Sequence, residues 1–411
     1  MMTTSEKIEV FTEPILDNSI VSLQEHTYKP YGSPKFQNSD EIRIPVHFQD
    51  IILDISESYI YIEGTFETTD ATKKCYLSNN SLAFLFDEIR YEMGGEKVAA
   101  VRKPGITTAL KTMVSFGTAH TKPLLTCGWG LNEKKQDILD LSSNIFSGKL
   151  PLKYLMGFAE DYTKGIFNVK QELIIIIART FSNCYIGEVE ANIKINKIEW
   201  KIRHIIPEDR QKLKILSRIN KGSNSANIHM TFRTWDLYEL PALRETSSDV
   251  WAIRTSTSLE KPRYIIIGFQ DNNNSENFKN NATQFTSANV SDIRVYLNST
   301  VFPYERWNLD FTKKLYAAAY YNYENFQRSY YGREFNDPMM HFGEYTKNPV
   351  FLVDCVHQTE NVKSSTVDVK IEFQTRDSKF PKDTKVYALI IHDSIINYNI
   401  LNGSVSNQSV F

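Results

Sequence analysis

The sequence predicts an all-β protein built from two tandem eight-stranded jelly-roll β-sandwiches with short helical excursions. Three observations predict it. Apolar residues recur at every second position through most of the chain, the period of a half-buried strand. Turn residues separate these runs at short, even intervals, as in a sandwich rather than in alternating strands and helices. One clear helix, residues 207–222, falls near the middle, and the strand pattern starts again after it. With 411 residues, of which 41% are hydrophobic, two cores can be filled. The competing reading is a surface helix inside one large domain.

Residues 1–40 mix Thr, Ser, Glu and Pro with isolated apolar residues such as Phe11, Ile15 and Leu16, and are expected to form an extended, acidic arm. Pro30 and Pro34 keep the residues before them out of the helical region. The first jelly roll is expected over 41–206. Ile42, Ile44, Val46 and Phe48 alternate with other residues, and Ile60, Ile62 and Phe66 repeat the pattern beside Tyr59 and Tyr61. Gly94-Gly95 after Ile89, Tyr91 and Met93 predicts a tight hairpin, because glycine accepts the positive φ angles of such a turn. Gly105 to Ser115 and Leu152 to Phe158 read as short helices. Glu172 to Ala178 is a continuous β-branched run, hence a strand buried on both faces. Ala191 to Ile206 alternates with a slip near Lys197, which predicts a bulge.

The connecting helix is expected over 207–222. Pro207 suits a first turn, Glu208 and Asp209 complement the positive end of the helix dipole, and Gly222 can supply a left-handed stop. Leu213, Leu216 and Ile219 recur on one face. The second jelly roll is expected over 223–403, with a tail at 404–411. Its strands are read at Ile228 to Trp235, Asp249 to Arg254, Arg263 to Phe269, Ile293 to Leu297, Val350 to Asp354, Val367 to Phe373 and Val386 to His392. An Asn-rich exposed loop is expected at 271–281, and a helix around Tyr316 to Phe326. No repeat is visible residue by residue, so duplication rests on the order of elements alone.

Charge and motifs narrow the chemistry. Against 49 acidic residues stand 47 basic ones, a net charge of −2, so no overall basic field steers the chain onto nucleic acid or an anionic membrane. Cys75, Cys127, Cys184 and Cys355 form no Cys-x-x-Cys pair, and free thiols in a reducing compartment are expected. Sequons such as those at Asn281 and Asn298 follow from an Asn-rich sequence, since no signal peptide pattern opens the chain. The longest apolar run, Leu173 to Ala178, is far shorter than the roughly 20 residues of a membrane span.

The eight histidines never fall as His-x-His or His-Glu-x-x-His, which disfavours metal-dependent cupin or zincin chemistry. His392 beside Asp393 is the best single acid–base candidate, and one His next to one Asp at a strand end reads first as structural. Asp368 and Glu372 share a strand face, but about 13 Å of strand separates them, beyond a glycosidase pair. The stretch Phe326 to Arg333 mixes arginines with aromatics, which suits a protein interface ahead of a nucleic-acid stacking platform. No catalytic, cofactor-binding or metal-ligating residue is assigned.

Several blocks carry a family resemblance: Phe84 to Met93, Pro151 to Tyr162, Ser329-Tyr-Tyr-Gly332, Ser365 to Phe373 and Ala388 to Asp393. They resemble the double jelly-roll major capsid proteins of Polinton/Maverick-type elements and related small DNA viruses of invertebrates. The resemblance implies a structural, non-enzymatic protein of the virion, made as a soluble intracellular chain in the host cell. It implies homotrimers that act as pseudo-hexagonal capsomers of an icosahedral shell around a DNA genome, with a separate single jelly-roll penton protein at the vertices. It implies no cofactor, no sequence-specific nucleic-acid binding and no transmembrane segment. Against it stand a two-sandwich carbohydrate-binding protein and a jelly-roll enzyme.

Overall fold

Strand pairing divides the computed structural model into two sandwiches of four plus four strands; residues 19–32, 35–47, 51–70, 72–118, 121–219, 226–253, 262–274, 276–358 and 367–408 are described. The first half uses β1 (Ile20–Tyr28), β2 (Glu41–Val46), β3 (Ile52–Thr68), β4 (Phe86–Met93), β5 (Glu96–Arg102), β6 (Ile145–Pro151), β7 (Gln171–Ile177) and β8 (Ala191–Pro207). The second uses β9 (Asn227–Leu240), β10 (Ser248–Ile253), β11 (Pro262–Asp271), β12 (Val290–Leu297), β13 (Thr300–Phe302), β14 (Phe351–Asp354), β15 (Val369–Thr375) and β16 (Thr384–Asn399). Every one of these neighbours pairs antiparallel. The first half has sheets β1-β8-β3-β6, extended past β6 by the two-residue strand Leu139–Asp140, and β2-β7-β4-β5; the second has β9-β16-β11-β14, with Val405–Gln408 added beside β16, and β10-β15-β12-β13; Cys75–Leu77 and Tyr185–Gly187 form a separate two-stranded sheet. Adding eight to each label turns the first pair of sheets into the second. The duplication that no residue-level repeat reveals is therefore complete at the level of topology, and each half closes as a jelly roll.

Local expectations meet this frame in most places. Gly94 and Gly95, at φ 60° and 88°, make the two-residue turn between β4 and β5. The register of β8 against β3 shifts between Ile195 and Lys197, where the bulge was expected. β7 runs between β2 and β4 with Leu173, Ile174, Ile175 and Ile177 buried. The connection from β5 to β6 carries helix α1 (Pro104–Ser115), and Leu152–Leu155 and Gly157–Asp161 form two short helices, α2 and α3, in place of the single one expected. The equivalent connection from β13 to β14 carries the long helix α5, Ala317–Tyr331, with α4 (Asp209–Ile219) between the halves.

Four boundaries differ from expectation. Residues expected in the arm, Ile20–Tyr28, are β1, paired with β8 from Ile20↔Pro207 to Tyr28↔Trp200. As an edge strand, β1 buries little on either face, so it lacks the alternation that marks a strand in sequence. Pro207 ends β8 instead of opening the helix, a place a proline tolerates at the end of a strand beside an edge. In α4 only Ile219 of the three expected face residues is buried; Leu213 and Leu216 are 66% and 43% exposed. The expected tail contributes Val405–Gln408, which pairs with β16. Residues 1–18, Phe48, His120 and Gly222 lie outside the described residues.

The β1 edge carries a titratable cluster. The Tyr28 hydroxyl lies 2.6 Å from His204 Nε2, and the His26 ring stacks on His204 at 3.8 Å between centroids. Burial, and then the neighbouring His26, pull His204 down to about 4, so it is neutral in the fold at neutral pH. A lowered histidine is easier to protonate in the unfolded chain, so its stabilising contribution is complete above about pH 6.5 and is lost towards pH 4. Urea unfolding is expected to show weaker stability at mildly acidic pH than at neutral pH. In His204→Leu that dependence should shrink; an unchanged pH profile would remove this cluster from the account.

Candidate functional site

The candidate site is the surface where one sandwich meets the other. The seam between the halves is built on a sheet that is buried on both faces. Ile265, Ile266 and Ile267 of β11 are all fully buried although successive side chains point to opposite faces, and Ala388 to Ile391 of β16 behave the same way. One face is the core of the second sandwich. Its other face is covered by α1 from the first half and by α5: an ideal Cβ on Gly268 would lie 2.9 Å from Leu110, and Tyr264 meets Phe326 edge-on at 5.2 Å.

Helix α1 is buried along its whole length, so its one lysine is buried too. The Lys111 side chain is 4% exposed and its ammonium donates to Glu160 Oε1 and Oε2 at 3.2 and 3.3 Å, to Ser115 Oγ at 3.0 Å and to the Tyr331 hydroxyl at 2.9 Å. It also sits 4.6 Å from the Trp235 ring centre and 4.3 Å from that of Tyr330, where a cation is favoured over an aromatic face. Burial lowers the Lys111 pKa, and Glu160 opposes that shift. Glu160 accepts two further bonds, from Tyr330 at 2.7 Å and Tyr331 at 2.6 Å. Burial, reinforced by Glu160, raises both tyrosines well above their ordinary range, so they remain donors.

A second ion pair lies next to the first. Asp161 of α3 accepts from the Arg233 backbone N–H and Nε, both at 2.8 Å, and from its terminal nitrogen, while the guanidinium stacks 3.5 Å from the Tyr330 ring centre. Burial opposes the arginine's charge, but the Asp161 bonds more than offset it and hold its pKa above the ordinary value. Gly157 explains how the backbones approach so closely: a Cβ there would lie 1.7 Å from the Arg233 carbonyl oxygen. Trp235 Nε1 donates to the Leu155 carbonyl at 3.1 Å, and Phe158 meets Phe232 edge-on at 4.9 Å.

The residues singled out in the sequence fall as follows. Phe326 to Tyr331 end α5, Gly332 caps it and Arg333 follows; the stretch meets this seam, where Phe326 and Tyr330 stack at 4.8 Å and Arg333 donates to the Ser115 carbonyl at 3.3 Å. His392 and Asp393 take different hydrogen-bond partners. His392 Nε2 lies 2.8 Å from Thr234 Oγ1 across the β9–β16 pairing, whereas Asp393 accepts from Arg263 Nε at 2.6 Å. Asp368 precedes β15, which starts two residues later than expected, and Glu372 accepts from the Tyr296 hydroxyl at 2.8 Å. Cys127, Cys184 and Cys355 are buried, Cys75 is partly so, and all four are free thiols. Among the described residues no three His, Cys, Asp or Glu converge as metal ligands, and no helix is long and apolar enough to cross a membrane. Sequence reasoning missed Lys111, Glu160, Asp161 and Arg233; the available signal was a lone lysine in an otherwise apolar or small helix.

Among the described residues, no long helix like α1 or α5 packs on the outer face of the equivalent sheet in the first half. There β3 alternates, with Ile60 and Ile62 buried in the core and Tyr59 and Tyr61 half-exposed on the other side. Lys149 sits 5.7 Å from the Tyr59 ring centre and Lys201 5.3 Å from that of Tyr61, and Tyr59 donates to Glu25 at 3.0 Å.

With this geometry in place, the comparisons with known proteins are direct. A model of the double jelly roll-like domain matches residues 75–396. The chain belongs to the double jelly-roll family. Its fold is similar to that in the PBCV-1 virus capsid, with a TM-score of 0.61 at 9% identity over 97% of this chain and 98% of that one. The Sputnik virophage structure matches with a TM-score of 0.60 at 9% identity over 100% and 93%. The mavirus major capsid protein matches with 0.58 at 10% identity over 100% and 94%. No curated protein sequence matches. At such identities the likeness lies in the fold.

Three substitutions test the seam. Lys111→Met leaves Glu160 buried beside two tyrosines without its cation, and is expected to cost about 3–5 kcal/mol. In a double-mutant cycle with Glu160→Gln the two losses should be strongly non-additive, and additive losses would show that the pair is not coupled. Gly157→Ala is expected to cost about 3 kcal/mol or more by overpacking against the Arg233 carbonyl, read as a lowered Tm.

Proposed function

We propose that this double jelly-roll chain is a major capsid protein whose copies close into trimeric, pseudo-hexagonal capsomers of an icosahedral shell enclosing a DNA genome. The observation that carries the reading is the unequal cover of two equivalent sheets. In the second half, β9-β16-β11-β14 has its outer face covered by α1 of the first half together with α5 of its own half. In the first half the corresponding face, β1-β8-β3-β6, presents Tyr59, Tyr61, Lys149 and Lys201 to solvent. If the second half of a neighbouring copy covers that face as the first half covers the second, the contact is head-to-tail and repeats until a ring closes. Two sandwiches per chain then make a three-fold ring with six similar units.

The connection between β13 and β14 is the part of the second half that corresponds to α1 and its flanks. It exposes Tyr304, Leu315, Tyr321, Phe335 and Phe342, each at least 42% accessible, which are residue types that interfaces favour. The whole-chain likeness to the mavirus major capsid protein and the PBCV-1 capsid supports the same role. We read the chain as structural rather than catalytic and as a component of the virion, with a separate single jelly-roll protein at the vertices.

Sedimentation and negative-stain imaging of the purified chain test this reading. Trimers with a six-lobed outline, or closed particles, are expected. A monomer at all concentrations would overturn it. Tyr61→Asp, on the open face and away from the seam, is expected to lower trimer yield about tenfold or more while leaving the Tm of the monomer unchanged, since a buried interface charge of about 1.4 kcal/mol already gives that factor.

A further inference from the structure

The polar cluster in the seam holds more than an ion pair needs. Lys111 of α1 and Glu160 of α3 are 49 positions apart in the chain, yet Nζ lies 3.2 and 3.3 Å from the two carboxylate oxygens. The amine is thus almost equidistant from them, with the carboxyl carbon between. Two tyrosines of α5 complete the arrangement. The Tyr331 hydroxyl accepts from Nζ at 2.9 Å and donates to Glu160 Oε1 at 2.6 Å, so it bridges amine and carboxylate. Tyr330 donates to the other oxygen, Oε2, at 2.7 Å. The ring centres of Trp235 and Tyr330 wall the amine at 4.6 and 4.3 Å. Ser115 Oγ and the carboxylate would already satisfy a buried ammonium. The bridging hydroxyl is the part a plain ion pair does not require.

We propose that Lys111 and Glu160 condense into an intramolecular isopeptide bond, with Tyr331 as proton relay and Tyr330 as oxyanion donor. Nζ first passes one proton through the Tyr331 hydroxyl to Oε1, leaving a neutral amine beside a neutral carboxylic acid. Burial favours this step, because it lowers the Lys111 pKa and because two charges cost more than a neutral pair in a dry site. The nitrogen lone pair attacks Cδ, a C–N bond forms, and negative charge gathers on Oε2, where the Tyr330 hydroxyl already points. Burial, reinforced by Glu160, raises both tyrosines well above their ordinary range, so each keeps the proton it must donate. A second proton then leaves the nitrogen through Tyr331 for the Oε1 hydroxyl, the Cδ–Oε1 bond breaks, and one water departs. One amine and one carboxylic acid give one amide and one water, with no change of oxidation state. The Glu160 side chain is 15% exposed against 4% for Lys111, which gives the water an exit on the carboxyl side. Groups held about 3–3.5 Å apart in a fixed orientation react at a very high effective concentration.

The test incubates the purified full-length chain in its folded state for days, then reads its intact mass under denaturing conditions and its tryptic map. The expected mass is that of the sequence less one water, calibrated against Lys111→Arg prepared alike. Trypsin should no longer cut after Lys111, and one branched peptide should carry both Lys111 and Glu160. Tyr331→Phe keeps amine, carboxylate and aromatic wall but removes the relay. With its fold checked by circular dichroism, it is expected to form the bond about a hundredfold more slowly or worse. An unaltered sequence mass in the wild-type chain, a lost water mapped to any other residue, or equal rates in wild type and Tyr331→Phe would each overturn the proposal. The readings are made on the chain itself, so they stand whether or not copies assemble.

Discussion

The structure depends on one requirement: an apolar sheet face that cannot be left in water. The run Tyr264-Ile-Ile-Ile267 places large side chains on both sides of β11, and burying each is worth about 1.5–3 kcal/mol. A single sandwich can cover only one of those sides. The other side is covered by α1 of the first half and by the second half's own α5. That packing fixes α1 in a wholly buried position, brings α5 down beside it, and makes the two jelly rolls one structural unit. The connecting helix α4 does none of this; it bridges the halves at the rim with two leucines in solvent.

The same requirement accounts for the polar chemistry inside the seam. A helix buried on all sides carries its lysine into an environment where a lone ammonium would be costly, and the cost is met by a complete set of partners: one carboxylate, two hydroxyls and two aromatic faces. Such a network contributes less to net stability than an apolar plug of equal volume could. What it adds is direction. Lys111–Glu160 and Arg233–Asp161 each link elements far apart in the chain, and both pairs with their tyrosines are satisfied together only at one placement of the two sandwiches. The Gly157 contact with Arg233 enforces that placement sterically.

Much of the fold is legible in the sequence because strands with one dry face must alternate. β3, β8, β9 and β15 all alternate, and the hairpin at Gly94-Gly95 is marked by residues that tolerate its φ angles. β1 was not legible, since an edge strand that buries little imposes no period on its residues. Pro207 fits a helix start and a strand end equally well by local rules, and only pairing with Ile20 decides between them. The seam was partly legible: the Ile-Ile-Ile of β11 against the Tyr-Ile-Tyr-Ile of β3 distinguishes a sheet covered twice from one covered once. Its polar partners were not, because Lys111, Glu160 and Arg233 become neighbours only through tertiary packing across distances of dozens of residues.

That contrast between β11 and β3 is also the physical basis of the assembly proposed above. Duplication of one jelly roll would give two equivalent outer faces with equivalent needs. Here the inner copy has become apolar where its cover is permanent, supplied by the same chain. The other has kept tyrosines and paired lysines, groups that tolerate water yet offer large, rigid contact area. A surface that must be soluble first and buried later is best made of such side chains, whereas a surface never exposed can be plain isoleucine. In the capsomer proposed above, this unequal composition on equivalent sheets would separate the interface formed during folding from the one formed between folded copies.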